Sequence, residues 1–328
     1  MSLREVGEQE RPVLTIDVGG TKIIAALVSA QGEMIAREYF STLADEGTAA
    51  VIDRIIAAVN RLLKLNKMTL SLINSISIAA AGIIDMDRGV ITVSPNLPGW
   101  HDVPLRDVIA ERCKVSVFLL NDASAAALAE HRLGAGREVN NLIFITVSTG
   151  IGGGIIVDGK LYLGASGGAG EIGHMTIDVN GPRCLCGNNG CLEVLSSGTA
   201  IAREAMARIR HGEKSSLTAM AGGNLENVTA EEVSLAAQDG DSLALAVIER
   251  SARYLGAGLV NLVHIFNPEM IVVGGGVSKM GDLLLEPVRQ TVDERAFPLL
   301  AQGVRIVPAR LGDDAGAFGA ALFAFQQR

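Results

Sequence analysis

The chain has 328 residues, of which 48% are hydrophobic and 4% aromatic, with 38 glycines and a net charge of −8. That length suits two domains with large aliphatic cores, and the glycine content suits an α/β protein with many tight turns. The acidic balance argues against a nucleic-acid partner, and the most apolar run, 254–277, is interrupted by Asn261, His264, Asn267, Pro268 and Glu269, so it reads as a buried helix and strand and not as a membrane span.

The first twelve residues, MSLREVGEQERP, are charged and have no apolar core, which excludes a secretory leader and predicts a cytoplasmic protein. Strands are predicted over 13–18, 23–28 and 33–40, with Thr21 and Lys22 in the hairpin between the first two. Residues 48–63 have helical periodicity, placing Ile52, Ile55, Ile56, Val59 and Leu63 on one face. A buried strand at 73–80 and a short one at 90–93 lead into the loop SPNLPGW, residues 94–100. A helix at 105–112 carries Cys113 at its end as a small buried residue. A strand at 115–120 then runs into Asn121-Asp122, and an Ala-rich helix at 123–133 is closed by Gly134 and Gly136.

The opening pattern then recurs. Strands are predicted at 142–147 and 153–157, separated by a glycine-rich turn, with Asp158-Gly159 turning the second. Helices follow at 199–210, 230–237 and 242–265. A strand at 270–273 ends in Gly274-Gly-Gly276, ahead of a helix near 282–294, a strand at 304–308 and a final helix at 315–325. Each half opens with strand, glycine turn, strand, so the chain is a divergent duplication of one fold. The domain change is placed near Asp122, giving domains 1–122 and 123–313, with the terminal helix, 314–328, packing back on the first. His101, His131, His211 and His264 read as surface or packing residues.

Three glycine turns after buried strands suggest a nucleotide held between the two halves. In DVGGTK, Asp17 ends a strand and can hold Mg²⁺ through water, while Gly19, Gly20, Thr21 and Lys22 offer close backbone approach and polar donors. A plain hairpin with a surface aspartate is the alternative. STGIGGG, with Thr149, Gly150 and Gly152, repeats the arrangement, and Gly275 and Gly276 supply a third turn. None of them fits the Walker spacing, and the first does not open a helix as a dinucleotide fingerprint does. Asp122 is either a helix cap or a cleft carboxylate able to accept a proton. Asn96 offers amide groups suited to sugar hydroxyls, and Trp100 in the same loop reads as packing.

Residues 171–193, EIGHMTIDVNGPRCLCGNNGCLE, hold three of the four cysteines. One imidazole, His174, and three thiolates, Cys184, Cys186 and Cys191, complete a tetrahedral zinc shell. A disulfide would need an oxidising compartment and would leave one cysteine over. Three thiolates make a closed, structural site with no open position for water.

These motifs resemble the ROK family of sugar kinases and related repressors along nearly the whole chain. The resemblance rests on VSTGIGGGI at 147–155, Gly164, Gly170-Glu-Ile-Gly-His174 and the zinc pattern from Gly173 to Glu193. It implies an α/β fold of two actin/hexokinase-like, ribonuclease H-like domains flanking an interdomain cleft, and commonly a homodimer or higher homo-oligomer. It implies an ATP-dependent hexose kinase using Mg²⁺, with structural Zn²⁺ and with Asp122 as general base. Glucose is the first expected substrate, with N-acetylmannosamine and fructose as alternatives. By motif, Asn96, Asn121, Glu171, His174 and Glu193 correspond to sugar-contacting residues, with one ring nitrogen of His174 for sugar and one for metal. The same correspondence assigns Asp17, Gly19, Gly20, Thr21 and Lys22 to the first phosphate loop, Thr149, Gly150 and Gly152 to the second, and Gly275 and Gly276 to the adenosine. Leu120 and Ser124 depart from the pattern of glucokinase-like members around the base. A sugar-responsive repressor is disfavoured because only twelve residues precede the first strand, too few for a helix-turn-helix domain.

Overall fold

The computed structural model describes residues 11–327; the leader segment considered above falls largely outside them, as does Arg328. The first half contains β1 (Val13–Val18), β2 (Lys22–Val28), β3 (Met34–Ser41), α1 (Thr48–Leu65), β4 (Ile76–Ala80), β5 (Ile83–Asp85), β6 (Val90–Val93), β7 (His101–Val103), α2 (Leu105–Cys113), β8 (Val117–Asn121) and α3 (Asp122–Arg132). The second half contains β9 (Leu142–Val147), β10 (Ile151–Val157), β11 (Lys160–Leu161), α4 (Leu192–Ser196), α5 (Gly198–Arg210), α6 (Leu217–Met220), α7 (Ala230–Gln238), α8 (Ser242–Phe266), β12 (Met270–Gly274), α9 (Asp282–Arg295), α10 (Pro298–Gly303), β13 (Arg305–Pro308) and α11 (Ala315–Gln326).

Two five-stranded sheets dominate, in the orders β3-β2-β1-β4-β8 and β11-β10-β9-β12-β13. Each begins with an antiparallel hairpin, β1 with β2 or β9 with β10, and adds parallel strands on the other side of the first strand. β4 and β12 are buried along their whole length, and both run as apolar stretches, interrupted only by the buried Ser77 in β4. β3 alternates partly buried and exposed residues, as an edge strand does. β5, β6 and β7 form a small separate sheet that carries the 94–100 loop. Two large apolar cores result, one around α1 and the first sheet, the other around α8 and the second.

α3 and α11 lie between these cores. Residues of α3 pack with the first sheet through Ala125 and Leu128, and with the second through Ala126, Ala127 and Ala129. That two-sided burial explains the alanine content of α3: larger side chains would hold the layers apart. Gly154 of β10 serves the same contact, since a methyl on it would stand 2.5 Å from Ala127 Cβ, while a methyl on Gly153, on the other face, would stand 2.3 Å from Ile172 Cδ1.

Several boundaries differ from the sequence expectation. Residues 73–75 precede β4 instead of belonging to it, because the chain there is still leaving the 3-10 turn Leu70–Leu72. β8 extends to Asn121, and β10 begins at Ile151, so most of the expected second glycine loop is strand. Gly134 and Gly136 follow α3 without adopting a left-handed conformation. They are glycines for room: a methyl on Gly134 would meet Glu130 Oε2 at 2.0 Å, and one on Gly136 would meet Leu142 Cδ1 at 2.1 Å.

Candidate functional site

β1, β4 and β8 run parallel and end together, and the residues at their C-terminal edges gather there. Asn121 ends β8 and caps α3: its Oδ1 accepts from the N–H groups of Ala123 at 2.9 Å and Ser124 at 3.1 Å. Its Nδ2 donates to the Gly82 carbonyl at 3.2 Å, so the amide is committed on both sides. The cap is therefore Asn121, which leaves the Asp122 carboxylate at the first helical position, where it accepts from Ala123 N at 2.8 Å. Burial raises the Asp122 pKa, and backbone N–H groups at the helix start offset part of that rise.

Asp17, near the end of β1, faces the same space. Its carboxyl is pushed up to about 7 by burial and by the charge of Asp122, with Lys22 pulling it down and Asp313 adding to the rise. α11 presses on it closely: a methyl on Gly316 would stand 2.3 Å from Asp17 Oδ2. The charge of Asp122 raises the cost of ionising Asp17, and the two half-buried carboxylates, one on β1 and one at the start of α3 just after β8, form a pair suited to divalent-metal and proton chemistry.

Glu171 and Glu193 join this group from the second half. Burial raises the Glu171 pKa, His174 opposes the rise, and Asp122 and Glu193 add to it. Glu171 Oε2 lies 3.9 Å from His174 Nε2, while His174 Nδ1 faces Cys184 Sγ at 3.7 Å. The two ring nitrogens thus point to different places. Glu193 is more constrained than expected. Its Oε2 accepts the Ile151 N–H at 2.9 Å, which fixes the turn between β9 and β10.

The four metal-type ligand atoms of His174, Cys184, Cys186 and Cys191 lie within 4.8 Å of one another. Cys186 Sγ and Cys191 Sγ are 3.7 Å apart. A tetrahedral ion with metal–sulfur bonds of ~2.3 Å sets its sulfurs about 3.8 Å apart. The donor set and its spacing therefore fit a metal. The loop is shaped for it by turns at Gly187 and Gly190, both in the left-handed region.

The three glycine turns are distributed unevenly. Gly19 N bonds the Lys22 carbonyl at 2.9 Å and closes the first hairpin, and Thr42 Oγ1 donates to the Gly19 carbonyl at 2.7 Å. A methyl on Gly20 would stand 2.6 Å from the Asn96 carbonyl oxygen, so the 94–100 loop lies directly against this hairpin. Thr21 and Asn96 are exposed. Lys22 opens β2 and pairs with Asp313 at 2.7 Å. The second turn is Ser148–Gly150, with Thr199 Oγ1 donating to the Thr149 carbonyl at 2.8 Å. A methyl on Gly152, within β10, would stand 3.1 Å from Ala123 Cβ, so packing accounts for this glycine. Gly275, with φ of +84°, sits over Val147 and brings the third turn beside the second, followed by Gly276.

Trp100 is 1% exposed and packs in the first core. His131 is buried, with Nε2 at 2.9 Å from the Val139 carbonyl, while His101, His211 and His264 lie at the surface and Cys113 is buried. Sequence reasoning passed over Asp313, Gly316 and Glu130, because each acts through a neighbour far away in the chain.

Two sheets of one topology, with acidic strand ends and glycine turns gathered beside α3, define the actin/hexokinase-like class of α/β proteins. The ROK family profile matches residues 13–327, and the chain belongs to that family. It is 40% identical to a glucokinase of Halalkalibacterium halodurans, over 97% of this chain and 96% of that one. It is 32% identical to a xylose repressor of Caldicellulosiruptor bescii, over 97% of this chain and 79% of that one. Its structure is similar to that of a ROK family glucokinase from Streptomyces griseus in complex with glucose and AMPPNP, with a TM-score of 0.82, 34% identity, and coverage of 96% and 99% of the two chains.

Proposed function

We propose that this protein is an ATP-dependent hexose kinase whose substrate is D-glucose, yielding D-glucose 6-phosphate. The observation that carries this reading is the Asn121–Asp122 arrangement: the asparagine caps α3, and the aspartate carboxylate is left to face Asp17 and Glu171. A protein that only bound sugar would have no use for a paired, half-buried Asp17 and Asp122. The likeness to glucokinases along the chain supports the choice of sugar.

In this reading Asp122 accepts the proton of the acceptor hydroxyl as the γ-phosphoryl group leaves ATP. Glu171, the Nε2 side of His174 and the free oxygen of Glu193 orient the sugar, with Asn96 at the rim. Asn121 acts mainly by holding Asp122. The Gly19–Lys22 hairpin and the Ser148–Gly150 turn receive the phosphates, and Gly275 and Gly276 flank the nucleoside. Lys22 would exchange its Asp313 partner for phosphate. Asp17 would hold Mg²⁺ through water; when bound, that ion neutralises charge on the phosphate oxygens. His174, Cys184, Cys186 and Cys191 would hold Zn²⁺, which fixes the loop bearing Glu171 and Glu193.

The division into 1–122 with 314–328, and 123–313, is proposed on the two cores and on α11 lying against β1 and α3. A homodimer or higher homo-oligomer in the cytoplasm is proposed from the family likeness; among the described residues no helix is long and apolar enough to cross a membrane.

A coupled assay with Mg²⁺–ATP over glucose, mannose, fructose, N-acetylglucosamine and N-acetylmannosamine tests the proposal. Glucose is expected to have the highest kcat/KM. Preference for an N-acetyl sugar would reassign the substrate, and no turnover on any sugar would favour the regulator reading suggested by the repressor relatives.

A further inference from the structure

Glu130 is a charged residue type with 0% exposure, on the helix that begins with Asp122, and the reaction as derived above makes no use of it. A buried carboxylate is costly unless its lone pairs are filled. Here three backbone donors fill them. Oε2 accepts from Ala135 N at 2.8 Å, and Oε1 accepts from Arg310 N at 2.8 Å and Leu311 N at 2.7 Å. Two of these donors lie about 180 residues away in sequence, in the segment that leaves β13 and enters α11.

That segment bears on the site. It leads through Asp313, the partner of Lys22, into α11, whose Gly316 stands over the Asp17 carboxylate. Further along, a methyl on Gly319 would come within 1.7 Å of the Ala125 carbonyl, so α11 and α3 touch backbone to backbone. α3 carries Asp122 at its first residue and Glu130 at its ninth. One rigid helix therefore joins the carboxylate that faces substrate to the carboxylate that grips the root of α11.

We propose that Glu130 is a positioning residue: by tying residues 310–311 to α3 it fixes α11 against that helix, and so sets the spacing between Asp17 and Asp122. The proposal rests on the kinase reading for its effect on turnover, but not for its effect on spacing. Ser or Thr at this position could not span to two chain segments, and an amide would bring an N–H group against backbone N–H donors.

The test uses the full chain with Glu130→Gln and, should that fold poorly, Glu130→Asp, which keeps the charge on a shorter arm. Three readouts are taken. Amide exchange at 135, 310 and 311 is expected to quicken. In the folded variant, kcat is expected to fall on the order of tenfold or more, since small displacements of reacting groups are that costly, with the sugar KM changed less than twofold. The spacing is read by carboxyl-carbon NMR titration of Asp17, whose surroundings also include Lys22, Asp122 and Asp313. Asp122→Asn should lower the Asp17 midpoint in the parent protein and lower it by less when Glu130 is changed. Unaltered coupling overturns the proposal even if the parent turns over no sugar, an outcome that would separately remove the kinase reading. Faster exchange with unaltered kcat and coupling would make Glu130 a stabilising residue only, and would also overturn it.

Discussion

The Glu193 carboxylate reaches across to Ile151 N at 2.9 Å and occupies the space where a side chain on Gly150 would begin. Glu193 lies two residues after Cys191, at the start of α4. The cysteine loop and the glycine turn between β9 and β10 are thereby one mechanical unit. Gly150→Ala would place a methyl 2.3 Å from Glu193 Oε2 and push the carboxylate away. Affinity for a non-hydrolysable ATP analogue, measured by calorimetry, is expected to drop on the order of tenfold, with sugar affinity falling alongside it. A variant that lost neither would show that the turn and the glutamate act independently.

Asp122→Asn keeps the shape of the side chain and leaves the Asn121 cap intact. It should lower kcat by roughly 10²–10⁴, the usual worth of a positioned base. Glucose binding, followed by intrinsic fluorescence or calorimetry, is expected to stay within a few-fold of the parent. Near-normal turnover would remove Asp122 from the base role.

The two aspartates also set a pH dependence. The base works only when ionised, and burial raises the Asp122 pKa, so its activity is lost as pH falls through a value above the ordinary carboxylate range. Asp17, pushed up to about 7, is expected to place a second acid limb near neutrality in kcat/KM for free enzyme. Stability runs the other way. A carboxyl whose folded pKa is raised is easier to ionise in the unfolded chain, so stability falls as pH climbs from about 4 toward 7. Asp17→Asn should therefore raise Tm at pH 8, change it little below pH 4, and abolish activity at pH 8. Equal Tm shifts at the two pH values would argue that Asp17 carries no buried-charge strain.

Metal content gives a fourth test. Elemental analysis should find about one zinc per chain. Cys186→Ser, at the exposed member of the cluster, should release it and weaken sugar binding before it weakens nucleotide binding, because Glu171 and His174 lie closest to the cluster. A metal-free protein with unchanged Tm and sugar affinity would leave the cluster without a structural role.

The cysteine block, the acidic residues at strand ends and the first and third glycine turns were legible in the sequence because each is a local pattern, whereas the second glycine run is mostly strand. A metal shell needs particular ligands at short spacing, a phosphate turn needs glycine after a strand, and a cap needs Asn or Asp before a helix. The duplication was legible for the same reason, since strand–turn–strand units repeat in order. The pattern could not say which of Asn121 and Asp122 caps α3. That depended on where β8 stops, which the sheet's register with β4 decides.

Other assignments were set by packing between distant segments. Gly152, Gly153 and Gly154 look like a phosphate cradle in sequence, yet Ala123, Ala127 and Ile172 press against them, so close layer contact explains their lack of side chains. Trp100 packs in the core, as its packing reading expected. The sequence alone determined which chemistry the chain can carry, because residue type and short spacing fix ligands, caps and turns. Only the tertiary structure decided which carboxylates face one another, because Asp17, Asp122, Glu171 and Glu193 meet through the contact of two sheets, the alanine-rich α3, the glycine-bearing α11 and a loop, which no local pattern encodes.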